Sequence, residues 1–382
     1  MRLAVSVVVG VVAIGALAGC GSPRASSQPA PTDLRGSVAA STTPTSSARP
    51  TTSPSPAASS GPVAAIDARL VDPIGLVVDA AGNLYVSDCW EPTDSSIFRI
   101  DPKGMLTLFA GVGPVDFAGD SGPATAANLH CPLGMAVGPN GALYFADHAN
   151  NRIRRIDAAG IITTVAGSGL AGVDRGSFSG DGGPATAATL SEPYGVAMDT
   201  AGSLYISDRD NNRIRKVDPS GVITTIAGNG RFEPPHDGVL GPQSSVRFPL
   251  GIIVDPDGNV LFADGDNKRI RRIDGRGIIT TIAGTGENKA TGDGGPATKA
   301  GLADPENMVF DAAGNLYITD TVSNTLRRID SHGVITTLAS KLGGAGLTID
   351  AAGNLFVTQP DSNGVYRIDT KGVVTRVAGK AS

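Results

Sequence analysis

The chain has 382 residues and a formal net charge of −5, with 41% hydrophobic but only 4% aromatic residues. The length is more than one ordinary domain needs but within the range of a single large all-β domain. The acidic balance argues against nucleic acid as a partner, since phosphate backbones draw basic surfaces. With so few aromatics, any core must be filled by Val, Ile, Leu and Ala.

Arg2 precedes an uncharged apolar run from Leu3 to Ala18 that ends in Leu17-Ala18-Gly19-Cys20. The run falls short of the ~20 residues that cross a bilayer. Its basic start, apolar middle and small closing residues have the organisation of a secretory signal over residues 1–19. The closing residues resemble the lipobox of bacterial lipoproteins, which implies that Cys20 becomes a lipid-bearing N-terminus held, palmitate-fashion, at the outer face of the cell membrane. An ordinary cleaved signal is the alternative. Residues 20–62 are mostly Ser, Thr, Pro, Ala and Gly, with too little apolar surface to offset the entropy of ordering, and are expected to form a disordered tether.

From residue 63 to about 380 one unit repeats. Arg-Ile-Asp or a close variant ends at Asp101, Asp157, Asp218, Asp274, Asp330 and Asp369. Each copy is preceded by two short β-branched runs, such as Gly75 to Asp79 and Leu84 to Asp88, and followed by a third, such as Ile161 to Ala166. Runs of four to six residues bounded by Gly, Asp, Asn or Pro are strands. Four strands in each of six units predict an all-β, six-bladed β-propeller of four-stranded antiparallel blades. Val63 to Ile66 is expected to supply an extra strand where the last blade meets the first.

The pattern Pro-x-Gly, Leu-Tyr-x-x-Asp and Asn-x-Arg-Ile-Arg-x-Ile-Asp resembles NHL repeats. The connectors Gly119 to Thr125, Gly180 to Thr186 and Gly292 to Thr298 are similar to those of the teneurin-type NHL subgroup. The resemblance implies a propeller but leaves function open, because related propellers bind proteins, RNA or small molecules and a few are lyases.

Two kinds of turn, Asp79 to Asn83 and Asp101 to Gly104 with their copies, are uniform and fall at one end of each blade. The second-to-third loops and the connectors fall at the other end and vary, so function is expected there. That rim should carry Trp90, His148, Tyr194, Arg209, Glu306, Asn307 and Gln359 as ligand-binding candidates, with Leu133 and Leu250 around the channel mouth. Cys89 and Cys131 belong to the same rim in adjacent blades. An even pair in an exported chain points to a disulfide, with a reactive thiol as the alternative.

The recurring Asp88, Asp147, Asp208, Asp264 and Asp320 could line an oxygen-rich metal site, but their repetition favours tying loops to local backbone amides. The repeated arginines could bind phosphate, although packing and pairing with Asp fits strands covered on both faces better. No catalytic motif stands out and no cofactor is evident; Ca or Zn at the channel mouth stays open. Two functions are carried forward. One is a membrane-tethered, monomeric binding scaffold for a protein, glycan or small ligand, without nucleic acid; the other is an extracytoplasmic lyase or hydrolase acting at the channel mouth.

Overall fold

The structure, a computed structural model, describes residues 61–90, 94–111, 116–169, 178–359 and 362–380. The apolar leader, Cys20 and nearly all of the 20–62 segment lie outside the described residues. Among the described residues no helix is long and apolar enough to cross a membrane.

Six antiparallel sheets follow one another along the chain. In the first, strands Pro73–Val78, Leu84–Trp90, Asp94–Ile100 and Met105–Ala110 pair in consecutive order. The same up-and-down order recurs in the sheets whose inner strands are Pro132–Val137, Pro193–Met198, Pro249–Val254, Pro305–Phe310 and Leu347–Ile349. These inner strands surround a central channel lined by Leu76, Met135, Val196, Ile252, Met308 and Leu347. The protein is therefore a six-bladed β-propeller, as the repeats predict.

Apolar residues of neighbouring blades fill the space between sheets. Tyr85, Ile97 and Ala110 of blade one pack with Phe145, Ile156 and Ile162 of blade two. The inner strands approach so closely that Gly is required: a Cβ on Gly75 would run into the Leu133 carbonyl of blade two, and one on Gly346 into the Ile74 carbonyl of blade one.

The register separates two rims. Pro73 lies opposite Asp88, Pro132 opposite Asp147, and Pro193 opposite Asp208, so each connector enters beside a second-strand end. At the far rim the turns are uniform. Asp79 Oδ1 accepts hydrogen bonds from the amides of Ala81 and Asn83, and Asp101 Oδ1 from those of Lys103 and Met105. Repeated around the ring, such side-chain caps are scaffolding.

Connectors do more than join blades. Pro123, Pro184 and Pro296 each bridge the outer strand of the blade they enter, and Val239–Leu240 forms a fifth strand on blade four. Each then caps the blade it left, as when the Gly111 amide donates to Ala124 O at 3.1 Å. The N-terminal segment takes this role where the ring closes. Val63–Ala64 pairs with Met105 and Leu106 on blade one, while the amide of Gly379, after the last strand, donates to Ala65 O at 3.0 Å. The expected extra strand is thus present, two residues long, and belongs to a strap bridging both partners of the closing seam.

Blades two to five also share a buried clamp. Arg154, Arg215, Arg271 and Arg327 are each 0% exposed, on the third strand. Each guanidinium meets a connector carboxylate, Asp120, Asp181, Asp237 or Asp293, at 2.7–2.9 Å. In blades two to four it also meets the second-strand Asp at 3.1–3.2 Å. The pairing role expected for these arginines is what the structure shows. A strand covered on both faces leaves a cation no stable choice but a buried partner.

Candidate functional site

The residues that follow the inner-strand Pro of blades one to five, Ile74, Leu133, Tyr194, Leu250 and Glu306, form a ring at the mouth on the variable rim with Ala345, which follows Gly344 in the equivalent place of blade six. Four are apolar. Tyr194 and Glu306, from blades three and five, reach each other across blade four, and the Tyr194 hydroxyl donates to Glu306 Oε1. Burial first, then the nearby Glu306 charge, pushes the Tyr194 phenol well above its ordinary value. Burial also raises Glu306 to about 7, opposed by the bond from Tyr194 and assisted by Asp304. A carboxyl poised near neutrality thus faces a phenol that stays protonated.

His148 stands beside this pair, its ring edge-on to Tyr194 at 6.2 Å. Its Nδ1 lies 3.1 Å from Pro193 O, and Nε2 lies 3.7 Å from Glu192 Oε2. Burial lowers its pKa below the ordinary histidine value, and the hydrogen bond to Pro193 O and then the Glu192 charge only partly offset this. Both ring nitrogens have neighbours, which makes His148 a support for the Tyr194 wall. Arg209 pairs with Glu192 at 2.6 Å and with Asp210 at 3.1 Å, its guanidinium 5.1 Å from the Phe248 ring.

Cys89 and Cys131 form a disulfide, with Cα atoms 4.7 Å apart. It packs with Leu133, Ile74 and Tyr194, fastening blades one and two at the mouth. Trp90 ends the second strand of blade one; its side chain lies outside the described residues. Asn307 replaces the seam glycine in blade five, and its Oδ1 accepts from the Met308 amide at 2.8 Å. Gln359 holds, in blade six, the place of the second-strand Asp. Its Nε2 donates to Asn324 Oδ1 at 3.3 Å. Gln359 lines a cavity of about 210 Å³ together with Glu306, Thr321, Asn324 and Gly343 to Ala345.

The structure thus brings Tyr194, Glu306 and His148 together, sets Gln359 and Glu306 on one cavity, and pairs Arg209 with Glu192 where its charge acts on all three. Sequence reasoning missed Glu192, Thr321 and Asn324. Glu192 was findable: it precedes the inner-strand Pro, a place occupied from blade to blade by Asp72, Cys131, Glu192, Phe248 and Asp304. Cys131, Glu192 and Phe248 there adopt positive φ of 53°, 46° and 45°, which turns their side chains out of the repeat.

The second-strand aspartates serve the loops. Asp88 accepts from the amides of Val71 and Asp72, Asp147 from His130, Asp208 from Ser191, and Asp320 from Ala303 and Asp304. Asp147, Asp208 and Asp264 also accept from Asn150, Asn211 and Asn267 and pair with the buried arginines. Among the described residues, no group of three or more His, Cys, Asp or Glu side chains is placed to hold a metal.

Fold and repeat chemistry together define an NHL-type β-propeller. Within it, residues 113–176, 172–236 and 285–343 match the Teneurin NHL domain. The chain is 27% identical to human Teneurin-4 over 303 residues, and 29% identical to mouse Teneurin-3 over 302 residues. Those alignments cover 72% and 71% of this chain but 10% of each relative, so the chain spans about a tenth of their length. Among solved structures it resembles an auxiliary nutrient binding protein from Bacteroides ovatus, with a TM-score of 0.56 and 13% identity, covering 81% of this chain and 70% of that one. It also resembles a gluconolactonase from Xanthomonas campestris, with a TM-score of 0.53 and 15% identity, covering 81% and 87%. At such identities the likeness is one of fold alone.

Proposed function

We propose that this protein is an exported binding module, tethered to the outer face of the membrane through a lipid on Cys20, that takes a protein, glycan or small ligand on its variable rim. It works as a monomer and has no nucleic-acid partner. The observation that carries the reading is the contrast between rims. One is closed by the same Asp-capped turns in blade after blade, while the other gathers Tyr194, Glu306, His148 and the disulfide around one mouth. A rigid ring with one chemically varied end is a binding architecture.

The test is a capture screen of the full chain against glycan, peptide and metabolite sets, repeated with Leu133→Arg and Tyr194→Ala. Loss of at least tenfold in affinity for any captured ligand supports the reading. Capture that survives both substitutions places binding elsewhere and rejects it.

One observation favours the lyase or hydrolase reading as a second choice. Glu306, raised to about 7, has the acidity of a general acid or base working near neutral pH. If turnover of any captured ligand is found and Glu306→Gln abolishes it, that reading replaces the first.

A further inference from the structure

The seam between blades five and six differs from the other five in three independent ways. First, among the described residues it has no strap: the chain crosses from Ser340, the end of the outer strand, to the inner strand at Leu347 by six residues. Those residues press so closely on blade six that a Cβ on Gly344 would run into the Thr358 carbonyl. Second, the glycine that faces the next blade elsewhere is Asn307 here, so the inner strands need not meet as closely. Third, the second-strand carboxylate is Gln359, whose Oε1 is buried without a hydrogen-bond partner although the residue is only 8% exposed. The cavity of about 210 Å³ lies at this seam.

The cavity's polar lining is dominated by acceptors. Glu306 presents a carboxyl whose Oε1 is already bonded to Tyr194. Asn324 Oδ1 receives the Gly343 amide at 3.0 Å as well as Gln359 Nε2, which fixes the amide of Gln359 with nitrogen toward Asn324 and oxygen left over. The Thr321 hydroxyl donates to Asp304, the carboxylate that also holds Lys268 at 2.7 Å, and Thr321 together with the Arg209 charge favours the ionised form of Glu306 against burial and the Asp304 charge. An orphaned carbonyl oxygen beside a carboxyl calls for a ligand that brings donors and positive charge. The volume suits a compact molecule, being smaller than the roughly 300–1,000 Å³ of drug-sized sites.

Resting on the reading of the variable rim as the binding face, we propose that the cavity between blades five and six binds the protonated amine of a small ligand, with Glu306 as counter-charge and Gln359 Oε1 as hydrogen-bond acceptor. The ammonium completes the hydrogen bonding that the missing connector leaves undone. Because the ammonium needs Glu306 ionised, binding releases a proton at pH values below about 7, where the free carboxyl is protonated.

The probe is n-butylamine, with n-butanol as its uncharged counterpart, titrated by calorimetry into the full chain. Butylamine should bind, butanol should not, and Gln359→Leu and Glu306→Gln should each weaken butylamine at least tenfold. Wild-type affinity should also fall about tenfold per pH unit below pH 7, a readout that needs no variant to fold. No butylamine binding, equal binding of butanol, or binding indifferent to pH overturns the proposal. The outcomes separate from those of the capture screen. Ligands lost on Tyr194→Ala while butylamine fails leave the variable rim standing and remove only the amine site. Capture indifferent to both rim substitutions removes the rim reading itself.

Discussion

Between blades three and four a connector pairs with the outer strand of blade four, caps blade three and delivers Asp237 to the buried Arg271, whereas between blades five and six only Lys341 to Gly346 remain to make the crossing. The difference shows how a repeat protein makes a site. Four blades spend their connector on holding the ring, so their second-strand carboxylates are matched, although the Nε atoms of the clamp arginines find no partner among the described residues. Where the connector is shortened, the clamp disappears, Tyr366 lies in register where the buried arginine would be, and Gln359 is left with an unmatched oxygen. Matched polar groups stabilise a fold; unmatched ones at a seam are available to a ligand.

The comparison is broken most directly at the clamp. Arg271→Ala leaves Asp264 as a buried carboxylate without its cation, and urea unfolding should show a loss of about 3–5 kcal/mol. Tyr366→Arg puts the same cation into blade six, where no carboxylate among the described residues awaits it, and should destabilise as well. If that substitution were neutral, the clamp would be dispensable and the contrast between seams empty.

A smaller effect tests Glu306. The unfolded chain releases this proton near the ordinary 4.5, while the native state keeps it until about 7, so the native state binds more protons in between and stability falls as pH rises through that window. Glu306→Gln should remove this slope and gain at most about 3 kcal/mol at pH 8, read from melts at pH 5 and pH 8. Asp88, raised to about 6 by burial, has the same sign in a lower window. The difference between the two proteins therefore isolates Glu306, and parallel slopes would show that its carboxyl is not desolvated.

The smallest effect, a difference of about 1–2 kcal/mol, sharpens the contrast between a connector strap, which runs from one blade into the next, and the strap at the closing seam, which runs on into a described blade at one end. Ala65 and Ala297 occupy equivalent buried places, at 0% and 2% exposure. Ala297→Asp should cost about 3 kcal/mol by burying a charge. Ala65→Asp should cost only about 1–2 kcal/mol, because a strap followed by a blade on one side only can open locally. Equal losses would mean that the closing strap is held as firmly as a connector.

Much of this was legible beforehand. Recurrence of Arg-Ile-Asp gave the blade count, and the fixed Asp-x-x-Gly turns identified the plain rim. Cys89 and Cys131 could be placed on one rim because a second-strand end and a connector end must be neighbours in an up-and-down blade. The ring of residues after each inner-strand Pro was likewise readable, since a repeat position that varies stands out against those that do not. Less was legible where a residue's meaning depends on which blade it faces. Trp90 and His148 looked equally prominent, yet His148 turned out to support Tyr194 through Pro193 and Glu192.

The sequence by itself determined the number of blades, the strand order and the separation of a uniform rim from a varied one, because these follow from local periodicity and short-range turns. Only the tertiary structure decided that Tyr194 meets Glu306 across an intervening blade and that the fifth seam opens into a cavity beside Gln359. Those outcomes depend on distances set by closing the ring, and closure couples residues far apart in the chain that no local pattern relates.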